Sequence, residues 1–350
     1  MLHSLRFRAA LVLLLTLPVM NLSAAMKAPA NAPAEKDYTG VIVVDAGDGK
    51  VLFEDCADVP AYPASVTKLM NLLLAVEAIE AGKVRLDDRV TVTPEEAKMG
   101  GSQVYLKEGE VFTLEELLYA TAIQSANDAA LAVANHVGGD RDTFVQMMNQ
   151  RATQLGMTHT KFTTPHGLAS PKQEADLSTP RDIAALSREA VRHPLVLKFS
   201  SVKKRTFRQE PLLVMENHNK LLRDVPGCDG LKTGYLARGG YALAATVYRD
   251  GKRVIAVVMG SSGMYGRRRD AIARRLIASA LPKASPAPAS LTPQEPEPEM
   301  AVPLGAEAEP AVPVGAEEEG EPEDFAAETD DAAPAADEPP MVQFRLPKVK

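Results

Sequence analysis

The 350-residue sequence contains no tryptophan, and only 5% of its residues are aromatic. Proteins that bind single-stranded nucleic acid without sequence preference stack the bases on aromatic side chains, so this scarcity argues against that class. Cysteine is also rare, with Cys56 and Cys228 as its two residues, and two cysteines do not make a disulfide scaffold. Export would allow the two to pair, but we favour two buried or partly buried thiols.

Metal-binding motifs are missing as well. The sequence has no Cys-x-x-Cys, no His-Glu-x-x-His and no spaced cluster of histidine and aspartate. Because such patterns hold catalytic zinc, we expect no metal and no other cofactor. Gly47-Asp48-Gly49 lacks the third glycine of a nucleotide-binding turn, and Gly260-Ser261-Ser262-Gly263 lacks the spacing of a nucleophile elbow.

The net negative charge comes from the C-terminal region. The chain has a formal net charge of −7, but residues 282–350 hold sixteen acidic and four basic residues, a net of −12 that leaves +5 for the rest. A mildly cationic globular part suits small anionic ligands and excludes a strongly basic nucleic-acid-binding chain. The Pro/Ala/Glu-rich composition of residues 282–350 predicts a disordered tail. Its apolar and basic end, residues 342–350, is a candidate for a weak membrane or protein contact.

The first 25 residues have the pattern of a secretory signal peptide. Arg6 and Arg8 precede an apolar run over residues 9–17, and Ser23-Ala24-Ala25 supplies small residues before a cleavage site. We therefore expect an exported protein, periplasmic or on the outer face of the cytoplasmic membrane, that begins at Met26. An uncleaved membrane anchor is the alternative, although the run falls short of the roughly 20 residues that span a bilayer. Residues 26–37, rich in Ala and Pro, are predicted to be a linker.

Residues 38–281 remain for one domain with a sizeable core. Asp48-Gly49 and Asp250-Gly251 are each flanked by apolar runs, which is a strong signal for a β-hairpin. Strands are therefore expected at both ends of this domain. A final helix is predicted over residues 268–281, with Ile272, Leu276 and Ile277 on one face.

The segments between the hairpins have mainly helical patterns. Residues 69–81 are almost wholly apolar and stop at Gly82, Thr113-Leu114-Glu115-Glu116 resembles a capping box, and residues 142–155 are amphipathic. We predict an α/β (α+β) fold in which an antiparallel sheet, built from both chain ends, is covered by terminal helices and carries a mainly helical insertion.

The pattern Ser-x-x-Lys occurs three times, beginning at Ser65, Ser200 and Ser201. Only Ser65 immediately precedes a long apolar helix, which places it one turn from Lys68 on the same face. A lysine can take the proton of a serine hydroxyl if burial and neighbouring positive charge lower its pKa. The alternative is that Ser65 merely caps the helix by accepting a hydrogen bond from the Lys68 backbone N–H.

A second element, Ser125-Ala126-Asn127, follows the helical pattern of residues 114–124. The Ser125 hydroxyl could relay a proton between Lys68 and a leaving group, and the Asn127 amide could hold both a substrate amide and the Lys68 ammonium. Taken alone, the element also fits an ordinary helix boundary.

A third element, Lys232-Thr233-Gly234, lies where we expect an edge strand. Lys232 could attract a carboxylate and keep Lys68 neutral by like-charge repulsion, while Thr233 could donate a hydrogen bond to the same carboxylate. Gly234 would let a substrate backbone approach the strand.

In this order the three elements resemble those of the low-molecular-mass penicillin-binding proteins, the D-alanyl-D-alanine carboxypeptidase family of penicilloyl serine transferases. The resemblance covers about residues 38–281. It extends to further pieces, which are Tyr62-Pro63-Ala64 before Ser65, Ile123-Gln124 before Ser125, Asp128-Ala129 after Asn127, Met148-Asn149, Leu155-Gly156-Met157, Pro165-His166-Gly167-Leu168, Ser178-Thr179-Pro180-Arg181-Asp182 and Asp229-Gly230-Leu231 before Lys232.

The resemblance implies a five-stranded antiparallel sheet of the β-lactamase/transpeptidase type and a serine D,D-carboxypeptidase. Ser65 would attack the penultimate D-alanine of a peptidoglycan stem pentapeptide, with Lys68 and Ser125 handling the proton. The backbone N–H groups of Ser65 and Tyr235 would form the oxyanion hole. Substrate binding would fall to Asn127, Lys232, Thr233, Gly234 and Tyr235, and β-lactams would act as covalent inhibitors.

Three other activities stay open. A D,D-endopeptidase that cuts cross-links would use the same serine. A class A β-lactamase is less favoured, because no clear Glu-x-x-Leu-Asn segment is present. A catalytically silent penicillin-binding wall protein is supported by Leu236, which stands where the family usually has a hydroxyl residue. An arginine among residues 267–269 could share the carboxylate instead, and His166 is expected to shape its loop rather than to act in catalysis.

Overall fold

The computed structural model describes residues 37–168 and 174–293. The strands in this part of the chain are β1 Gly40–Asp45, β2 Val51–Asp55, β3 Arg89–Thr91, β4 Val111–Thr113, β5 Lys204–Arg208, β6 Leu213–Glu216, β7 Cys228–Leu236, β8 Gly240–Arg249 and β9 Lys252–Ser261. The helices are α1 Lys68–Glu80, α2 Pro94–Ala97, α3 Leu114–Tyr119, α4 Asn127–Gly138, α5 Arg141–Gln154, α6 Pro180–Ala190, α7 Pro194–Ser200, α8 Leu221–Asp224 and α9 Arg267–Ala280.

Five of these strands form the predicted antiparallel sheet, in the order β2-β1-β9-β8-β7. Both predicted hairpins are present, β1–β2 around Gly49 and β8–β9 around Asp250-Gly251. Asp250 and Gly251 both have positive φ values, 53° and 71°, which is the backbone of the tight turn that an Asp-Gly pair favours. The sheet therefore joins the two ends of the domain, as expected, and leaves β7 at one edge.

The two faces of the sheet belong to different cores, because successive side chains of a strand point in opposite directions. Val41 and Val43 of β1 pack with Ile272, Leu276 and Ile277 of α9, whose predicted face is thereby confirmed. Ile42 and Val44 instead join the larger core under the helical insertion. Among the described residues α9 is the one terminal helix on the sheet. The other face is covered by helices of the insertion, not by a helix from the N-terminal end.

The predicted helices of the insertion are present. Helix α1 is nearly all buried, which explains why residues 69–81 are apolar around the whole helix. At the start of α3 the Thr113 hydroxyl accepts from the Glu116 backbone N–H, and the Glu116 carboxylate accepts from the Thr113 N–H, which is the predicted capping box. No helix in residues 37–168 and 174–293 is both long and apolar enough to cross a membrane.

The domain does not end at residue 281, and the boundary predicted there is wrong. Leu291 is buried, its carbonyl accepts a 2.7 Å hydrogen bond from Nε of the fully buried Arg253, and Ala287 N–H donates to the Gly251 carbonyl. Composition alone cannot reveal a short segment that packs through Ala284, Ala287, Leu291 and its backbone. The predicted tail is thus ordered at least through Pro293.

Several predictions lie outside the described residues. These are the signal peptide over residues 1–25, the linker except for its last residue, Asp37, and the tail from residue 294, and all three stay predictions. Cys56 and Cys228 do lie in the described part. Each is partly buried and the two are not joined by a disulfide, as expected.

Candidate active site

Ser65 lies in a tight turn directly before α1. Residues Ala64–Thr67 form a single 3₁₀ turn, entered through Ala64 with a φ of 49°, a conformation that non-glycine residues rarely adopt outside functional or strained sites. The turn has no side-chain cap. The capping role considered for Ser65 is therefore wrong, and its hydroxyl instead lies 3.0 Å from Nζ of Lys68.

Lys68 is fully buried, and its amine is surrounded by oxygen atoms. Nζ lies 2.6 Å from Oδ1 of Asn127, 2.6 Å from the carbonyl oxygen of His166 and 3.0 Å from Oγ of Ser65. Burial, and after it the positive charge of Lys232, hold the pKa of Lys68 well below its usual range. These are the two causes that the sequence led us to expect.

The three contacts determine where the lone pair of a neutral Lys68 points. A neutral amine has two N–H donors and one lone pair, and the oxygens of Asn127 and His166 can only accept. They take both donors, so the lone pair is left for the proton of the Ser65 hydroxyl. Turning the Asn127 amide so that Nδ2 faces Lys68 would break a hydrogen bond, because Nδ2 donates to the Gly100 carbonyl at 2.7 Å. The geometry is that of a base aimed at a nucleophile.

Ser125 enters the site from an interrupted helix. The continuous pattern of residues 114–124 predicted one helix, but α3 passes into a π-helical turn at residues 120–124, and Ser125 then adopts a left-handed backbone with φ 60° and ψ 30°. π-Helical turns occur often at functional sites. Ser125 is buried, two residues before Asn127, yet within the described part of the chain its hydroxyl forms no hydrogen bond to Ser65 or Lys68.

Lys232, Thr233 and Gly234 lie on β7, which is the predicted edge strand. A Cβ atom on Gly234 would lie 2.5 Å from the Pro63 carbonyl oxygen and 3.0 Å from the Ser65 backbone nitrogen. The glycine is therefore needed so that the enzyme's own serine turn can approach the strand. The reason we expected, approach of a substrate backbone, stays a prediction.

Lys232 is buried, and its Nζ donates to the Thr233 carbonyl at 3.1 Å. Burial, and after it the charge of Arg269, lower the pKa of Lys232 to about 7. Because its surroundings place this pKa near neutrality, an arriving carboxylate would favour the charged form of the amine. Lys232 is thus placed to bind an anion next to Lys68, and its charged form lowers the pKa of Lys68.

Tyr235 follows Gly234 on β7, so its backbone lies beside the Ser65 turn. Its side chain is 56% exposed and stacks on Tyr241, with ring centroids 4.4 Å apart. The predicted oxyanion hole needs the N–H groups of Ser65 and Tyr235 to point at one oxygen atom. The close approach of Gly234 to Ser65 brings these two backbone segments together.

The loop around His166 contributes backbone, as expected, and not a titrating ring. Its carbonyl accepts from Lys68, its Nδ1 accepts from the Leu168 N–H, and burial followed by the charge of Lys68 lowers the pKa of its ring to about 3. Gly167 has a φ of 84°, and a Cβ there would lie 2.0 Å from the Ala64 carbonyl oxygen. Like β7, the loop therefore packs closely against the serine turn.

Sequence reasoning missed two buried carboxylates behind the site. Asp176 accepts hydrogen bonds from the Thr67 hydroxyl and from backbone and hydroxyl groups of Thr163 and Thr164. Asp128 accepts from the backbone of residues 104 and 106. The negative charge of both groups partly offsets the lowering of the Lys68 pKa. Asp128 directly follows Asn127 in the sequence, which was the signal available for it.

The structure separates the three arginines that could share a substrate carboxylate. Arg269 is buried and bound to Asp270 and the Ala242 carbonyl, while Arg268 pairs with Asp37. Arg267 is exposed and has no ion-pair partner among the described residues. It is the remaining candidate for that role.

Comparison with known proteins agrees with this geometry. A sequence model of the Peptidase S11 family, D-alanyl-D-alanine carboxypeptidase, matches residues 26–263. The chain is 36% identical over 223 residues to D-alanyl-D-alanine carboxypeptidase DacF of Bacillus subtilis, and 37% identical over 232 residues to DacC of Escherichia coli K12. These matches cover 63% and 64% of this chain, and the chain spans 57% of the length of each relative.

Solved structures give the same result. D-alanyl-D-alanine carboxypeptidase DacD of Francisella tularensis superimposes with a TM-score of 0.66 at 27% identity, over 75% of this chain and 76% of that one. Penicillin-binding protein D2 of Listeria monocytogenes, in its ampicillin-bound form, superimposes with a TM-score of 0.63 at 28% identity, over 71% of this chain and 99% of that one. The chain belongs to the Peptidase S11 family of D-alanyl-D-alanine carboxypeptidases.

Proposed function

We propose that this protein is a serine-type D-Ala-D-Ala carboxypeptidase that removes the terminal D-alanine from peptidoglycan stem pentapeptides through an acyl-enzyme on Ser65. The observation that carries the proposal is the buried Lys68 amine, whose pKa is lowered and whose contacts leave its lone pair, in the neutral form, toward the Ser65 hydroxyl. Membership of the family supports the same activity.

In the proposed reaction the Ser65 oxygen attacks the carbonyl carbon of the penultimate D-alanine, and Lys68 takes the hydroxyl proton. The resulting oxyanion is stabilised by the backbone N–H groups of Ser65 and Tyr235. The C–N bond then breaks, and the proton passes from Lys68, directly or through Ser125, to the leaving amine of the last D-alanine. Water hydrolyses the ester and restores Ser65.

The terminal carboxylate of the substrate is proposed to bind Lys232 and the Thr233 hydroxyl. Leu236 supplies no hydroxyl of its own, so Arg267 is the cation proposed to share the carboxylate. β-Lactams would follow the same route, because opening of their ring amide by Ser65 leaves an ester on the enzyme. The ampicillin-bound form of the similar Listeria protein supports this part of the proposal.

The activity is tested with two substrates given to the chain from Met26 to Lys350. A carboxypeptidase releases free D-alanine from a stem pentapeptide, whereas an endopeptidase converts a cross-linked stem dimer into monomers, and mass spectrometry separates the products. D-Alanine release supports the proposal. Cleavage of the dimer alone would assign the endopeptidase activity, and covalent penicillin binding without turnover of either peptide would assign a silent wall protein.

The pKa of Lys232 predicts the pH dependence of substrate capture. Below about pH 7 the amine is protonated and attracts the carboxylate, and as the pH rises through about 7 the free enzyme loses this charge. We expect kcat/KM for the pentapeptide to fall over that range, while kcat changes less because a bound carboxylate keeps Lys232 protonated. Lys232→Met should lose this dependence and lower kcat/KM by about 10- to 100-fold, the value of a charge-assisted hydrogen bond.

Lys232→Met also changes Lys68 in a direction that can be measured. Without the neighbouring charge the pKa of Lys68 rises, so the acid limb of acylation by a β-lactam moves to higher pH. An unchanged kcat/KM in the variant would contradict the carboxylate role of Lys232. An unchanged acid limb would contradict its effect on Lys68.

We further propose export to the periplasm or to the outer face of the cytoplasmic membrane, because the substrate is cell-wall peptidoglycan and the first 25 residues have a signal pattern. The mass of the chain recovered from the native host tests this proposal. A chain that begins at Met26 supports cleavage, and one that keeps residues 1–25 would mean a membrane anchor.

A further inference from the structure

A cleft of about 490 Å³ lies next to Tyr235, outside the groups used in the proposed reaction. It runs along the turn between β7 and β8 and the end of β9. Its side chains include Tyr62, Tyr235, Arg238, Tyr241 and Met264. Met264 is 71% exposed and Tyr235 is 56% exposed, so the cleft presents an apolar and an aromatic side chain to solvent within a lining that is mainly polar.

Arg238 gives this cleft its charge. Its guanidinium lies 4.7 Å from the centre of the Tyr62 ring, which orients the cation without neutralising it. No carboxylate among the described residues forms an ion pair with Arg238, and no acidic residue lines the cleft. Aromatic walls around an unpaired guanidinium suit a ligand with an apolar chain and a terminal carboxylate.

The position of the cleft relative to β7 shows which part of a substrate would reach it. Lys232, the proposed site of the terminal carboxylate, precedes Gly234, which lies against Ser65, and Arg238 follows in the turn after the strand. Along this line the scissile bond separates the terminal carboxylate from the acyl part of the peptide. A substrate extended along β7 therefore directs its acyl part past Tyr235 toward Arg238.

We propose that this cleft is a subsite for the side chain of the residue that immediately precedes D-Ala-D-Ala, and that Arg238 selects side chains ending in a carboxylate. The proposal rests on the proposed function, because it uses the direction in which a D,D-carboxypeptidase substrate lies. Arg238 acts here as a specificity-determining residue and takes no part in the chemical step. Tyr62 holds its guanidinium, and the ring of Tyr235 on Tyr241 forms the wall nearest Ser65.

The test compares acetyl-Xaa-D-Ala-D-Ala peptides in which Xaa is glutamate or 2-aminopimelate, each beside its side-chain amide. The two acidic side chains differ in length, so if the shorter one does not extend to Arg238, the longer one tests the same contact. We expect at least one acid to have a kcat/KM about fivefold above that of its amide, in the upper range for a solvent-accessible ion pair. The ratio should shrink when salt is added.

Variants assign the preference to one side chain. Arg238→Gln should bring the acid-to-amide ratio to about one and leave kcat/KM for the amides unchanged, and Arg238→Glu should favour a lysine peptide. Arg275→Gln, an exposed arginine on α9 outside the cleft, should keep the wild-type ratio. Equal ratios in wild type and Arg238→Gln, or no preference for either acid in wild type, would overturn the proposal.

A binding measurement separates failure of the subsite from failure of the proposed function. The same four peptides are titrated into Ser65→Ala protein, where affinity does not depend on hydrolysis. The acid-to-amide ratio of dissociation constants should match the kinetic preference and should vanish when Arg238→Gln is added. If no peptide is hydrolysed but the ratio persists, the activity is wrong and the subsite stands. If amides are hydrolysed without any acid preference, the subsite alone is wrong.

Discussion

Ser65→Ala is expected to abolish covalent labelling by a fluorescent penicillin and to lower D-alanine release by more than about 10⁴-fold. The reason is that Lys68 has no other hydroxyl within hydrogen-bonding distance in the described part of the chain, so no second nucleophile is activated. The fold should survive, because the change removes one partly exposed oxygen atom and leaves both carbonyl contacts of Lys68 in place. Gel fluorescence, a D-alanine assay and a melting curve on the same sample measure the three quantities.

The chain offers a matched control in a second Ser-x-x-Lys pattern. Ser201 and Lys204 have the same spacing, but Ser201 directly follows α7 as its C-cap and Lys204 lies exposed on β5. Ser201→Ala should label and hydrolyse like the wild type. A penicillin adduct that persists in Ser65→Ala, mapped by mass spectrometry to any other serine, would remove Ser65 from its proposed role.

Local sequence signals predicted the elements of this fold whose structure depends mainly on residues close together in the chain. Both Asp-Gly pairs gave hairpins, because positive φ values at Gly49, Asp250 and Gly251 cost these residue types little. The apolar run after Ser65 gave a buried helix, and the Thr113 capping box gave a helix start. The edge position of β7 was expected from the sequence, whereas the order of the five strands was not predicted and is seen only in the structure.

What the sequence could not predict depends on groups that meet only in the folded chain. The interruption before Ser125 was hidden because residues 114–124 have a continuous helical pattern. Asp176 lies 109 residues from Thr67, to which it is hydrogen bonded. Arg253 reaches the carbonyl of Leu291 inside a segment whose composition indicated disorder. In each case tertiary contacts overrode the local preference.

The candidate site likewise has features that the sequence predicted and features that it did not. The residue types and spacing predicted that Ser65, Lys68 and Asn127 would meet, and the structure brings these three side chains together. For Gly234 the coordinates add a reason that the sequence did not give, since the Ser65 turn occupies the space of its missing Cβ. The carbonyl of His166 was missed as a Lys68 partner, because a backbone oxygen has no sequence signature.

Lys68→Met is expected to slow acylation of Ser65 by a β-lactam by about 10²- to 10⁴-fold, the usual contribution of a general base. Methionine has a similar length but no lone pair that can accept the serine proton. In the wild type the rate should rise with pH until Lys68 is neutral and then level off, and burial places that plateau well below the usual pKa of lysine. The variant should lose the plateau and depend on hydroxide. Stopped-flow acylation rates across pH measure both effects.

The loss must be separated from a damaged fold, because the Lys68→Met change would leave the Asn127 and His166 oxygens without their donor. Each such buried acceptor costs about 1–3 kcal/mol, which the relief of burying an amine offsets in part. A melting curve on the variant checks this, and Lys204→Met serves as the control that should acylate like the wild type. Wild-type acylation by folded Lys68→Met would mean that another group takes the serine proton. Slow labelling that still reaches completion on Ser65 supports Lys68 as the general base. In this variant the serine nucleophile is intact and only the group that takes its proton has been removed.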